Sequence, residues 1–277
     1  MIKDGIDYLF HYTTIEKLAL ILKNQTIRLN ALCNMDDLQE GRSKDLRNIG
    51  RFFFVSSWTD EEDESIPMWN MYTTMDAGVR IGLPKNPFLR HQTKIDDLKK
   101  VFTSSIKVEG EGIQNLDTFL NLTDLIHKGV YSIQAWNGDI LRQVNYTNEK
   151  DLLEPQIVSI EGDKISFNTT NIGKYKNTYW DFQKEWRYMM IFLPLSITDN
   201  PMAMNEQFNT IVNRMANDMQ SAPFDYYDLS LSPDALKSLI ITPSPKMTPG
   251  NRILLDSLTK QFNPNTKIIE SALNGLI

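Results

Sequence analysis

Four groups of residues have types and spacings that could do chemistry. The first is His11, which stands where the apolar pair Leu9-Phe10 passes into the polar corner Tyr12-Thr13-Thr14 and then into a helical pattern. A histidine between a strand end and a helix N-terminus shares its space with free N–H groups and the positive end of the helix dipole, which suits an anionic ligand. The second is the acidic run of residues 34–41, whose Asp36, Asp37 and Glu40 offer the oxygen ligands that hard divalent cations prefer. The third is Glu185, followed two residues on by Arg187 in the stretch Glu185-Trp186-Arg187-Tyr188. A carboxylate fixed there could stabilise a developing cation. Trp69 and Tyr72, three residues apart, add an aromatic face able to stack on a planar ring. Each group also has an ordinary use: a hydrogen-bonded strand-end histidine, a solvated acidic loop, an ion pair between Glu185 and Arg187, and aromatic core packing.

The elements that must hold these groups follow from periodicity. Residues 9–12 read as a buried strand, Thr13 with Glu16 as a capping box, and Ile15, Leu18 and Leu22 as the apolar stripe of a helix ending near Asn24. Residues 26–29 then read as extended. The run Arg51-Phe52-Phe53-Phe54-Val55-Ser56-Ser57-Trp58 reads as a buried strand, and residues 60–64, all acidic, as a solvated loop. Ser65 caps a helix with Pro67 in its first turn, which carries Met68, Trp69 and Tyr72 on one side. Residues 78–83 alternate as a strand.

Farther on, Leu116, Phe119, Leu120 and Ile126 suggest an amphipathic helix, and residues 156–160 and 164–167 a hairpin turned at residues 161–163. Residues 168–177, rich in Asn, Thr and Lys, read as a mobile surface loop. From Glu185 onward a strand places Trp186, Tyr188, Met190 and Phe192 on one face, with Glu185, Arg187, Met189 and Ile191 on the other. Helices open at Asn200-Pro201, Ser232-Pro233 and Thr248-Pro249, with strands at residues 239–242 and 266–269.

At 277 residues, 41% hydrophobic and 23% charged, the chain can bury a sizeable core, and no linker divides it. One α+β domain over residues 1–277 is the expectation. A net charge of −6 argues against a surface that coats nucleic acid nonspecifically. The single cysteine, Cys33, excludes an intramolecular disulfide, and three histidines leave little for a Cys/His zinc cage. Residues 1–7 carry two acids and lack the apolar run of a signal peptide, and no stretch approaches the ~20 apolar residues of a membrane span. A cytoplasmic protein with no membrane partner is expected.

Several blocks together resemble the family catalogued as domain of unknown function 2971: His11-Tyr12-Thr13, residues 34–40, Met68-Trp69 with Tyr72 and Gly78, and Trp180 with Glu185-Trp186-Arg187. That family name carries no activity. A more remote resemblance, to ADP-ribosyltransferases of the His-Tyr-Glu type, does carry one. There a strand ending in His-x-Ser/Thr leads into a helix with an Ile-Leu pair, and this chain has His11-Tyr12-Thr13 and then Ile21-Leu22. An aromatic strand with serines follows, matched by Phe52 to Ser57, and then a helix bearing a tyrosine, matched by Trp69 and Tyr72. The family's catalytic glutamate begins a late aromatic strand, as Glu185 does. The strand tyrosine of the family falls near Phe53 or Phe54 here, so the aromatic clamp must come from the Trp69/Tyr72 helix.

This resemblance implies a split, mostly antiparallel β core with flanking helices. It also implies cleavage of the nicotinamide–ribose bond of NAD, which is consumed as substrate and needs no metal. Glu185 and His11 would be the catalytic pair. His11, Tyr12, Thr13, Phe54, Ser56 and Arg187 would line the nucleotide site, and Trp69 or Tyr72 would stack on nicotinamide. The acceptor, whether protein, nucleic acid or water, stays open, and a toxin or defence role fits such chemistry. Two other readings compete: a metal-dependent hydrolase or nuclease built on Asp36, Asp37, Glu40 and His11, and a nonenzymatic binding module using the Trp69/Tyr72 patch.

Overall fold

Ten strands join into one largely antiparallel sheet in the computed structural model, which describes residues 7–94, 115–132, 139–161, 164–196 and 200–277. In chain order they are β1 (Tyr8–Thr14), β2 (Thr26–Ala31), β3 (Phe53–Thr59), β4 (Gly78–Pro84), β5 (Tyr131–Ser132), β6 (Leu141–Gln143), β7 (Glu185–Leu193), β8 (Tyr226–Ser230), β9 (Ile240–Pro243) and β10 (Lys267–Ile268). The path runs β8-β2-β3-β1-β4-β9-β10, and β7 pairs with β3, β5 and β6. Only the β9–β10 contact in this sheet is parallel. The helices are α1 (Ile15–Asn24), α2 (Ile66–Tyr72), α3 (Leu122–His127), α4 (Lys150–Leu153), α5 (Pro201–Ala216), α6 (Pro233–Lys237) and α7 (Pro249–Phe262).

The register along β3 decides where a cleft can open. On one edge β7 pairs with it continuously, from Thr59↔Glu185 to Phe53↔Ile191. On the other edge β2 holds only Phe54 and Val55, and β1 only Thr59. β1 and β2 therefore splay apart along one strand, and Ser56 to Trp58 lack a strand neighbour on that side. An unpaired backbone carbonyl in such a gap must find a side chain or water. Ser57 finds His11, whose Nδ1 lies 2.7 Å from the carbonyl oxygen.

Both faces of the sheet are covered, which is why β7 reads as nearly continuous apolar sequence. Tyr188, Met190 and Phe192 enter a core with Leu18 and Leu22 of α1 and Leu255 of α7. Met189, Ile191 and Leu193 enter a second core with Ile211, Val212 and Met215 of α5. The two-residue period of the strand sends alternate side chains to opposite cores. Each such side chain contributes about 1.5–3 kcal/mol when fully buried. A third, smaller cluster of Tyr12, Met68 and Trp69 is flanked by Tyr72, Phe182 and Leu273.

The helix starts carry the expected chemistry: Ser65, Asn200, Ser232 and Thr248 cap helices that have proline in the first turn. Elsewhere the structure corrects the sequence reading. The cap of α1 is Thr14, accepting from the Lys17 amide, because β1 stays paired with β4 through Thr13↔Val79 and Thr14↔Gly78. Leu116 belongs to a strand, Asn115–Thr118, paired with His91–Lys94, and the helix expected there spans only Leu122–His127. Residues 168–177 are not a surface loop throughout: Ile172 is buried, and Tyr175–Asn177 pairs in parallel with Asn145–Thr147. The hairpin Val158–Glu161 with Lys164–Phe167 is present, while its turn residues 162–163 and the N-terminal residues 1–6 lie outside the described residues. Among the described residues no helix is long and apolar enough to cross a membrane.

Candidate functional site

The gap beside β3 opens into a cleft of about 80 Å³ that widens to solvent. Its lining comes from β1 (Phe10, His11, Tyr12), from the loop after β2 (Met35, Asp36, Glu40), from β3 (Ser57, Trp58) and from α2 (Met68, Tyr72), with Lys176, Gln183 and Glu185 closing the floor. His11 and Glu185, remote in sequence, thus face one space with Tyr72. The helix dipole expected at this corner is not part of it, since no residue of α1 lines the cleft.

A carbonyl can only accept, so the His11 Nδ1 must carry the proton it donates to Ser57, and a neutral ring then leaves Nε2 as an acceptor. Burial holds the imidazole below its usual 6.5, with the nearby Lys17 charge adding to this and the Ser57 bond opposing it. The ring leans on Trp58 at 5.2 Å between centroids. His11 is therefore a fixed, uncharged group, suited to a hydroxyl more than to an anion.

Glu185 sits at the first position of β7, directly after Lys184 in the left-handed region at φ 44°. Three donors reach its carboxylate: Arg187 Nε at 2.7 Å on Oε1, and Arg187 Nη2 at 3.0 Å and Lys176 Nζ at 3.2 Å on Oε2, with the Ser57 hydroxyl nearby. Arg187 Nη2 also donates to Glu40 Oε1 at 2.5 Å. Glu40, Lys176, Glu185 and Arg187 are 7%, 5%, 3% and 1% exposed, so two acids and two bases form a buried, charge-balanced quartet. Burial alone would raise the Glu185 carboxyl. The Arg187 and Lys176 cations, with the Arg187 hydrogen bonds and the nearby Ser57 hydroxyl, overcome it and hold the group at about 2. Glu40 goes the other way: burial pushes it up despite the cations, and the neighbouring Glu185 charge adds to the rise. Arg187, facing both carboxylates, is raised although burial opposes it.

The walls are aromatic. Tyr72 accepts a hydrogen bond from Gln183 Nε2, and burial, joined by the charges of Asp36, Glu185 and Glu40, raises its phenol. The Tyr146 hydroxyl receives the Glu185 amide at 2.8 Å, fixing the start of β7. Tyr12 accepts from the Ser65 amide at 2.9 Å, joining β1 to the cap of α2.

Not every residue singled out in the sequence reaches the cleft. Trp69 is fully buried behind the wall, edge-on to Tyr12 at 4.9 Å, so of the two α2 aromatics only Tyr72 lines the space. Phe54 is in the first core against Phe192, and Ser56 accepts from the Trp58 indole at 3.0 Å. Thr13 is buried with no hydrogen-bond partner for its hydroxyl, and Arg187 stands behind Glu185. Asp37 accepts from the Gln39 amide in its own turn, whereas Asp36 and Glu40 line the cleft. Among the described residues no group of three or more His, Cys, Asp or Glu side chains is arranged to hold a metal ion.

Lys176, Gln183, Ser57 and Tyr146 escaped sequence reasoning. Lys176 lay in a tract whose polarity reads as loop, and nothing local announces that it is buried by pairing. Glu64 was read as one of five solvated acids, but it accepts from the Trp69 indole at 3.0 Å, from Ser271 Oγ at 2.7 Å and from the Ala272 amide at 2.7 Å. It clasps residues 271–273 onto the outside of the aromatic wall, where Leu273 packs.

No curated protein and no solved structure matches the chain. Residues 68–188, a stretch that holds Tyr72, Lys176, Glu185 and Arg187 but neither His11 nor Glu40, match the model of the family described as Protein of unknown function (DUF2971), the family that the sequence blocks resemble.

Proposed function

We propose that the chain is an NAD-consuming enzyme of the ADP-ribosyltransferase type, acting in the cleft beside β3. The observation that carries this reading is the convergence of His11 and Glu185 on one aromatic-walled space, at the point where β1 and β2 part along β3. A split sheet with a late strand bearing the glutamate is the arrangement expected of such an enzyme. The neutral His11 offers Nε2 to a ribose hydroxyl, Tyr72 offers a ring face, and Glu185 holds a negative charge that survives at neutral pH.

The step is heterolysis of the bond between ribose C1′ and the nicotinamide nitrogen. The electron pair leaves with nicotinamide and neutralises its ring charge, and an oxocarbenium-like ribosyl cation forms. A nucleophile then adds at C1′ and loses its proton. Fixed negative charge beside that cation lowers the barrier without reorganising. Transfer to protein or nucleic acid and hydrolysis by water share this step, and a toxin or defence role is compatible with either.

Purified protein incubated with NAD, with and without a cell lysate as source of acceptors, should release nicotinamide. Glu185→Gln should slow this by at least about 10²–10³-fold at a temperature where circular dichroism shows the variant folded. Absence of both nicotinamide release and an NAD-dependent rise in Tm for wild type removes the enzyme reading.

A further inference from the structure

Resting on the NAD reading, we infer that Glu40, rather than Glu185, makes the direct hydrogen bond to a hydroxyl of the nicotinamide ribose. A carboxylate has about four lone-pair sites. At Glu185 both oxygens are engaged, Oε1 by Arg187 Nε and Oε2 by Arg187 Nη2 and Lys176 Nζ. It supplies charge, and neither of its oxygens is left without a donor. Glu40 differs. Its Oε1 takes Arg187 Nη2, while Oε2 is buried without a hydrogen-bond partner, and Lys176 Nζ stands off at 3.7 Å. An orphaned carboxylate oxygen in a side chain this buried costs the fold free energy, and a ligand donor recovers it.

Glu40 lines the same cleft as Glu185, and the two share Arg187 and Lys176, so a turn of the Glu40 carboxyl presents its buried Oε2 to a ribose over Glu185. A hydroxyl is the chemistry that fits. It donates to a carboxylate and accepts from a carboxylic acid, so it pairs with Glu40 in either protonation state. Glu40 had been a metal-ligand candidate in the sequence; the structure assigns it to the sugar.

The test compares binding of NAD with that of its 2′-deoxy and 3′-deoxy forms, modified on the nicotinamide ribose, by calorimetry. Wild type should prefer NAD over one of the two by about 10–100-fold, the range of a hydrogen bond to a charged group. Glu40→Ala should bind that pair alike. Glu40→Gln keeps the volume and still offers Arg187 an oxygen, so it folds if alanine does not. Its amide makes a neutral bond to the ligand, and the preference should fall several-fold. If wild type discriminates against neither analogue, or if a folded Glu40 variant discriminates as strongly as wild type, the assignment is overturned while NAD binding stands. Failure of wild type to bind NAD at all overturns the NAD reading and this assignment with it.

Discussion

In the sequence Glu185 reads either as a catalytic charge or as the partner of Arg187, and the structure has it in that ion pair and on the floor of the cleft. The two uses coexist because the pair is buried, and a buried carboxylate must be paired to stay ionised. Its removal carries a stability cost: Glu185→Gln should lower the unfolding free energy by about 3 kcal/mol, the low end for breaking a buried pair, measured by denaturant titration. The acid limb follows from the same contacts. The folded carboxyl is held near 2 against an ordinary 4.5, so its contribution is complete above about 4.5 and disappears as pH falls towards 2. Wild type should lose stability across that window with a steeper slope than Glu185→Gln. For His11, replacement by alanine orphans the Ser57 carbonyl and removes the Nε2 acceptor. It should cost about 1–3 kcal/mol of stability and raise the KM for NAD more than it lowers kcat, since its proposed contact is with the adenosine ribose, away from the breaking bond.

At the scale of elements, the parts legible in the sequence were those written locally. The caps at Ser65, Ser232 and Thr248 and the alternating faces of β7 needed only a few neighbouring residues to be read. The parts that were not legible depend on distant partners. Lys176 is polar, sits among polar neighbours, and is buried only because Tyr175–Asn177 pairs with Asn145–Thr147 and carries it to Glu185 and Glu40. Trp69 and Tyr72 share a helix, yet which of them faces the ligand space is fixed by the edge contact of Tyr12 with Trp69. The acidic run is divided in the same way. Asp60, Glu61, Glu62 and Asp63 are exposed, whereas Glu64 satisfies a buried indole and two donors of residues 271–272. Alanine at Glu64 should therefore destabilise by about 1–3 kcal/mol in equilibrium unfolding. Alanine at Asp60 or Asp63 should stay within about 0.5 kcal/mol.

Across the whole molecule, one sheet separates two cores and borrows its strands from both ends of the sequence: β1 pairs with β4, β3 with β7, and β2 with β8. Neither core can be lost without unpairing strands of the other, so heat or denaturant should give one cooperative transition, with far-ultraviolet circular dichroism and tryptophan fluorescence superimposing. Two separated transitions would contradict the single unit expected for residues 1–277. Such long-range pairing also makes folding slow, because each loop must close before its contacts repay the entropy. The clasp of residues 271–273 on Glu64 also forms late in synthesis on the ribosome. Those residues follow every strand of the sheet by only three positions, so the brace and the last strand pair, β9 with β10, come into place together. Residues 271–273 line no part of the cleft, so their clasp acts on it only through Glu64 and the Trp69 wall, and a chain that lacks them would keep the lining residues but lose the brace behind them.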